Sequence, residues 1–218
     1  MNEAALREEI CRVGASLYAR GYVHGTAGNI SAALADGWLI TPTDACLGTL
    51  DPARLAKVDA SGQQLSGARA SKTLALHRAI YAAAPGAGCV IHTHSTHLVA
   101  LTLAGVWRAE DILPPITPYY VMKVGHVPLI PYHRPGDPAV AGLVAQAIVA
   151  ARAAGRPLRA VMLDRLGPNV WHEQPASAMA TLEELEETAK LWLLGGRTAQ
   201  PLDEAALDAL RTHFGAVW

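Results

Sequence analysis

The chain has 218 residues, of which 51% are hydrophobic and 17% are charged, and its formal net charge is -1. This length and composition suit a single compact domain over residues 1–218 with a sizeable buried core. Lys and Arg are scattered through a nearly neutral chain, so the basic surface that a nucleic-acid backbone requires is missing. Nucleic acid is therefore not expected among its partners.

The N-terminal segment MNEAALREEICR is charged from its start, and no later stretch is apolar over a membrane-spanning length. We therefore expect a cytoplasmic protein with no membrane partner. Cys11, Cys46 and Cys89 lie far apart and form no Cys-x-x-Cys pair. These three residues are interpreted as small buried thiols rather than as a redox or zinc-knuckle site.

The first half of the chain predicts a helix, an antiparallel sheet and a second helix. Apolar residues recur at helical spacing from Leu6 to Leu17, and Gly21 follows as a stop. The segments GTAGNISA, WLITPT and LAKVDASGQQLSG then predict short strands joined by turns. A helix is expected in SKTLALHRAIYAAA, which ends at Pro85-Gly86.

The next segments predict alternating strands and helices. CVIHTH is typical of a buried strand, and a helix is expected from about Ser95. VGHVPLIPY resembles a strand, and Asp137-Pro138 suits the start of an Ala-rich helix. RAVMLDRLGPNVWHE predicts a hairpin, and an amphipathic helix that includes Leu182 and Leu185 follows. A short helix in DEAALDALRTHF is expected at the C-terminal end.

The segment His92-Thr93-His94 carries the strongest chemical signal. Residues two apart on a strand point to the same side, so both imidazoles can bind one divalent cation. Imidazole ligands with an open coordination position favour zinc, although cobalt, manganese or iron can occupy such a site. The alternative for an isolated His-x-His pair is that both side chains only form ordinary hydrogen bonds.

Several polar segments predict an anion site. GTAGNIS, which contains Asn29, offers small residues and backbone N–H groups, and Thr43 lies in the hydroxyl-rich segment TPTD. Ser71, Lys72 and Thr73 add two hydroxyls and an ammonium at an expected helix start, where the helix dipole favours negative charge. Together these groups predict a phosphate site. Read alone, Ser71 is equally well explained as a helix N-cap.

The ordered set GNIS, TPT, a Ser-containing helix start and HTHSTH resembles the class II aldolase family, which includes sugar-phosphate aldolases and epimerases. PPITPYYVMKVG, VPLIPYHRPGDPAV and VMLDRLGPNV extend the resemblance over nearly the whole chain. The resemblance implies a three-layer α/β/α sandwich with a central, mainly antiparallel sheet. It also implies a homotetramer with its sites at subunit interfaces.

The resemblance assigns roles to particular residues. His92 and His94 match metal ligands, and a phosphate group is expected to bind Asn29, Thr43, Ser71 and Lys72. Tyr120 is matched to a tyrosine that donates a proton from a neighbouring subunit. Lys72 and Lys123 are the weaker alternatives for this proton donor.

Two positions depart from the aldolase pattern. Thr73 stands where family aldolases have a catalytic Glu, and Leu166 stands where they have a third metal-binding His. Both changes put aldol cleavage in doubt, and Thr73 remains a candidate catalytic position. The imidazoles considered as substitutes for the third ligand are those of His97, His126 and His133.

Within the family, SKTLALHRAIY, HTHSTHLVALTLAGVW and LDRLGP are similar to the group that decarboxylates 3-oxo-tetronate 4-phosphates. The implied reaction releases carbon dioxide and dihydroxyacetone phosphate in sugar-acid catabolism. A decarboxylase can lack the Glu, because a carboxylate leaves already deprotonated, whereas aldol cleavage needs a base. The alternatives are a sugar-phosphate aldolase or epimerase, and an inactive protein that binds metal or sugar phosphate.

Overall fold

The computed structural model describes residues 2–218 and contains six α-helices and eight strands within them. The helices are α1 (Glu3–Ala19), α2 (Leu74–Ala83), α3 (Thr96–Ala104), α4 (Ala139–Ala153), α5 (Pro175–Leu194) and α6 (Glu204–Phe214). The strands are β1 (Asn29–Leu34), β2 (Gly37–Ile40), β3 (Ala56–Asp59), β4 (Gln64–Ser66), β5 (Cys89–His92), β6 (Leu129–Ile130), β7 (Ala160–Leu163) and β8 (Gly167–His172).

All eight strands form one sheet in the order β4-β3-β2-β1-β5-β8-β7-β6. Each neighbouring pair is antiparallel except β6 and β7, which are parallel. The central strands β1, β5 and β8 therefore come from distant parts of the chain. The predicted α/β fold with a mainly antiparallel sheet is confirmed.

Helices cover both faces of the sheet. One apolar cluster joins Ile91 of β5 to residues of α1, α3 and α5, including Ile10 and Leu182. A second joins Val90 of the same strand to residues of α2 and α4, including Ile80. Val90 and Ile91 enter different clusters because successive strand residues point to opposite faces. This alternation produces the three layers.

The segment VGHVPLIPY is the main departure from the predicted elements. Its only strand is the two-residue β6, and a single π-helical turn, Tyr120–Val124, ends at its first residue. Pro128 and Pro131 flank β6 and carry no N–H group, so they cannot donate to a longer ladder.

Two further expectations concern cysteines and membranes. Cys89 is buried, whereas Cys11 and Cys46 are only partly buried, and all three thiols are free. The expectation of buried thiols therefore holds fully for Cys89 alone. None of the helices within residues 2–218 combines the length and apolarity needed to cross a membrane.

Candidate functional site

Three segments meet at the C-terminal end of β5, and two glycines allow their close approach. A Cβ atom at Gly28 would lie 2.8 Å from the carbonyl oxygen of His92. A Cβ atom at Gly167 would lie 1.9 Å from the carbonyl oxygen of Thr93. Both glycines have positive φ, at 84° and 137°. Larger residues are therefore excluded by space and by backbone conformation, and the loop before β1 and the start of β8 lie against the histidine segment.

His92 and His94 face one another in this region. Their ring centroids are 5.1 Å apart, and the rings are inclined by 70°. With metal–nitrogen distances of about 2.0–2.1 Å, two imidazoles on one tetrahedral cation have centroids roughly 5 Å apart. The spacing therefore suits a shared cation, and the two histidines are brought together as the sequence predicted.

The ring orientation of His92 is fixed by a backbone group of β8. Its Nδ1 atom donates a hydrogen bond to the carbonyl oxygen of Pro168 at 2.9 Å, which leaves Nε2 without a proton in the neutral ring. Burial lowers the pKa of His92 to about 4, with a further lowering from the charge of His94. Both effects favour the neutral ring that a metal ion requires.

A third protein ligand is not in place. No group of three or more His, Cys, Asp or Glu side chains within residues 2–218 is arranged to hold a metal ion. Leu166, half-buried, packs against the apolar cluster under α2 and α4 and offers no ligand atom. At the position where the family resemblance expects a third metal-binding His, this chain therefore has no side chain that can bind a metal.

The three histidines considered as substitutes are paired elsewhere. His97 Nδ1 donates to buried Glu186 at 2.8 Å, and His126 Nδ1 donates to Asp111 at 2.8 Å. His133 lies 3.7 Å from the carboxylate of Asp137. These contacts hold each ring to a different carboxylate, and the structure gives none of them a contact with His92 or His94.

His24, which the sequence patterns did not single out, lies near His94. The ring of His24 is edge-on to that of His94, with centroids 6.5 Å apart. His24 is exposed and immediately precedes the Gly-rich loop GTAG. The sequence shows that His24 adjoins the predicted anion-binding loop, but it does not show that His24 lies near His94.

Asn169 is a second residue that sequence reasoning missed. In the sheet, His92 pairs with Asn29 of β1 on one side and with Asn169 of β8 on the other. Directly opposed residues project from the same face, so the two amides flank His92. Asn169 is fully buried, and neither of its side-chain polar atoms has a hydrogen-bond partner within the described chain. Only the pairing of β5 with β8 reveals it.

A buried polar network lies on the same face. Ser31 Oγ shares hydrogen bonds with His77 Nδ1 at 2.7 Å and with the Tyr81 hydroxyl at 2.8 Å. Burial lowers the pKa of His77 to about 3, with a further lowering from the charge of His92. The His77 ring is therefore neutral at physiological pH.

The segments predicted to bind phosphate lie next to one another. The backbone N–H of Thr43 donates to Arg69, and that of Ser71 donates to Thr41. The side chain of Thr41 also accepts the backbone N–H of Ile30, the residue after Asn29. Backbone pairing thus joins β1, the TPT segment and the SKT segment into one polar region.

Within the SKT segment, the two hydroxyls contact each other and the ammonium is free to reach a ligand. Ser71 Oγ lies 2.9 Å from Thr73 Oγ1, and Lys72 is exposed. Thr73 is the N-cap of α2 and makes no side-chain cap hydrogen bond. Ser71 lies two residues earlier, and its Oγ accepts the backbone N–H of Thr73 at 3.4 Å, so Ser71 contributes a cap-type hydrogen bond at the start of α2.

The two adjacent tyrosines differ in exposure. Tyr120 is fully buried, and its hydroxyl has no hydrogen-bond partner among residues 2–218. Trp218 packs on its ring with centroids 5.5 Å apart, and burial raises the pKa of Tyr120 well above its ordinary value. Tyr119 is 58% exposed. Within this chain Tyr120 is therefore covered, whereas Tyr119 reaches the surface.

Known proteins match this chain over nearly its whole length. Residues 8–193 match the Class II Aldolase and Adducin N-terminal domain. A Cupriavidus necator protein named 3-oxo-tetronate 4-phosphate decarboxylase is 62% identical, over 99% of each chain. The Escherichia coli (strain K12) protein of the same name is 43% identical, over 96% of this chain and 97% of its own. The crystal structure of YgbL from Escherichia coli superposes with a TM-score of 0.85 at 42% identity, covering 96% of this chain and 99% of that chain.

Proposed function

Because the chain belongs to the class II aldolase and adducin family, we propose that it is a carboxy-lyase of that family. The proposed reaction converts a 3-oxo-tetronate 4-phosphate to dihydroxyacetone phosphate and carbon dioxide. The observation that carries the proposal is the 62% identity, over 99% of both chains, to a protein named for this reaction. The geometry at the end of β5 supports it with two facing imidazoles beside a polar region.

We propose that His92 and His94 hold a divalent cation, with zinc as the expected metal because imidazole ligands suit it. The unprotonated Nε2 atom of His92 and the 5.1 Å spacing of the two rings fit such an ion. When bound, the cation would act as a Lewis acid that stabilises negative charge on the 3-oxo oxygen.

The phosphate of the substrate is proposed to bind Asn29, Thr43, Ser71 and Lys72. The exposed ammonium of Lys72 supplies charge, and the start of α2 contributes its partial positive charge. Binding at this remote end holds the reacting carbon near the two histidines, so binding energy is used for orientation. We add Asn169, which is buried beside His92, as a residue that positions the groups around the substrate.

Thr73 is compatible with this reaction. Aldol cleavage needs a base that removes a hydroxyl proton, whereas the substrate carboxylate already lacks its proton. The bond between the carboxylate carbon and its neighbour breaks, and carbon dioxide leaves. The electron pair of that bond remains on the rest of the substrate, which becomes an enediolate. Thr73 Oγ1 is held by Ser71 Oγ and can donate a hydrogen bond without acting as a base.

The enediolate carbon must then accept a proton. Tyr120 was the sequence-based donor, but its burial favours the exposed neighbour Tyr119 for a donor that acts across a subunit boundary. Lys72 and Lys123 remain the alternatives among the exposed cations. We therefore propose Tyr119 as the proton donor and keep Tyr120 as its alternative.

A homotetramer with sites at subunit interfaces follows from the family resemblance and is proposed here, as is a cytoplasmic location. Large apolar side chains are exposed on this single chain, as expected if subunit contacts cover some of them. Those more than half exposed are Leu65, Leu103, Tyr119, Tyr132, Leu191, Leu194 and Phe214.

Two other functions have specific support. An aldolase or epimerase that acts on a related sugar phosphate is favoured by the shared scaffold. An inactive protein that binds metal or sugar phosphate is favoured by the lack of a three-ligand metal group within residues 2–218. Thr73 and Leu166 count against the first of these alternatives.

The test is release of carbon dioxide and triose phosphate from purified protein given 3-oxo-tetronate 4-phosphate, generated in situ, with and without a chelator. We expect both products, and loss of both when the chelator is present. His92→Ala and His94→Ala should each abolish turnover. Aldehyde release from a sugar phosphate would favour the aldolase, and substrate binding with no products would favour the inactive binder.

A further inference from the structure

We infer that His24 supplies the third protein ligand of the metal site, in place of the imidazole that the family carries at the position of Leu166. This inference rests on the proposed metal site at His92 and His94. It assigns a ligand that neither the histidine motif nor the family pattern contains.

The first support is position. His24 lies edge-on to His94, with ring centroids 6.5 Å apart. Two imidazoles on one cation require roughly 5 Å, so the His24 ring must approach by about 1.5 Å. A small side-chain rotation of an exposed residue can cover this distance.

The second support is the rigidity of the backbone next to His24. Gly28 lies so close to His92 that a Cβ atom would meet its carbonyl oxygen at 2.8 Å and a Val23 methyl at 3.0 Å. The backbone N–H of Ala27 donates to the carbonyl oxygen of His24 at 2.9 Å. The loop therefore holds His24 beside the histidine segment, while its ring makes no hydrogen bond within residues 2–218 and is free to turn.

The third support is that His97, the remaining imidazole of the histidine segment, is already engaged. His97 is held by Glu186, whose carboxylate also accepts the backbone N–H groups of His97 and Leu98. Moving His97 to a metal would leave this buried carboxylate without its imidazole partner, which costs stability. Moving His24 breaks no hydrogen bond of its side chain in the described chain.

The test measures metal affinity rather than turnover. Chelator-stripped protein is titrated with Zn2+ by calorimetry and with Co2+ by visible absorption, which reports the ligand set. We expect His24→Ala to weaken Zn2+ binding at least about tenfold and to change the Co2+ spectrum, with an unchanged melting temperature. His133→Ala is the matched control, and its affinity should equal that of the unmodified protein.

A second variant keeps the inference testable if His24→Ala alters the loop. Adding Leu166→His to His24→Ala should restore Zn2+ affinity, because it returns an imidazole to the family position. Unchanged affinity in His24→Ala, with binding lost in His92→Ala, would overturn the role of His24 and leave the metal site standing. Unchanged affinity in both His92→Ala and His94→Ala would overturn the metal site itself.

Discussion

The Nδ1 atom of His92 donates a hydrogen bond of 2.9 Å to the carbonyl oxygen of Pro168 in β8. The two residues are 76 positions apart in the sequence. This bond selects which ring nitrogen is free for a ligand. It also couples β8 to the candidate metal site.

Replacing Asn169 should stabilise the fold and weaken substrate binding. Asn169→Leu removes a buried amide that lacks hydrogen-bond partners in the described chain and fills the space with a side chain of similar size. We expect the free energy of unfolding to rise by about 1 kcal/mol, while KM for the phosphorylated acid increases. Urea unfolding and steady-state kinetics measure the two effects. An unchanged KM would show that Asn169 does not help to position the groups that bind the substrate.

His77 should give the protein a pH-dependent stability. Its pKa is about 3 in the folded state, against about 6.5 in the unfolded chain, so below pH 6.5 the unfolded state binds the extra proton. The contribution of His77 is complete above pH 6.5 and is lost as the pH falls toward 3. His77→Gln should reduce the slope of unfolding free energy by up to about 1.4 kcal/mol per pH unit.

This slope is measured by urea unfolding of chelator-treated protein at several pH values between about 4.5 and 7. The exposed His213→Gln variant is the matched control for the same substitution at a surface position. A slope in His77→Gln equal to that of the unmodified protein would contradict a buried neutral His77.

Lys72 should act on substrate binding. Lys72→Ala is expected to raise KM about 10- to 100-fold, because a hydrogen bond to a charged group contributes about 1.5–3 kcal/mol, and to change kcat little. Lys190→Ala, on the exposed side of α5, is the control and should leave KM unchanged. A fall in kcat with a normal KM would instead assign Lys72 as the proton donor.

The two tyrosines should respond differently to loss of the hydroxyl. Tyr119→Phe is expected to lower kcat with an unchanged melting temperature, because Tyr119 is exposed. Tyr120→Phe should leave kcat nearly unchanged, because its buried hydroxyl makes no hydrogen bond in the described chain. Kinetics and thermal unfolding of both variants test this. The reverse pattern would return the donor role to Tyr120.

Glu186 should be important for the stability of the helix that follows the histidine segment. Its buried carboxylate joins α5 to the first backbone N–H groups of α3. Glu186→Ala should lower the free energy of unfolding by about 2–4 kcal/mol, because these donors lose their charged partner. The neighbouring exposed Glu187→Ala should change it by less than about 0.5 kcal/mol. Equal effects in urea unfolding would argue against the role of Glu186.

The sequence by itself determined the helices, most strands and the pair His92 and His94. These features depend on local signals: apolar spacing specifies the helices, turn residues delimit the strands, and two residues separated by one on a strand share a side. The polar segments around Asn29, Thr43 and Ser71 were also identified locally. Backbone pairing then placed them next to one another.

Only the tertiary structure decided which side chains surround the histidines and which are removed from reach. Asn169 lies beside His92 because β8 pairs with β5, and His24 lies near His94 because a Gly-rich loop packs on the strand end. Tyr120 is buried in the main apolar cluster, where Trp218, 98 residues later, packs on its ring. Such contacts depend on register and packing between distant segments, and no local pattern in the chain encodes them.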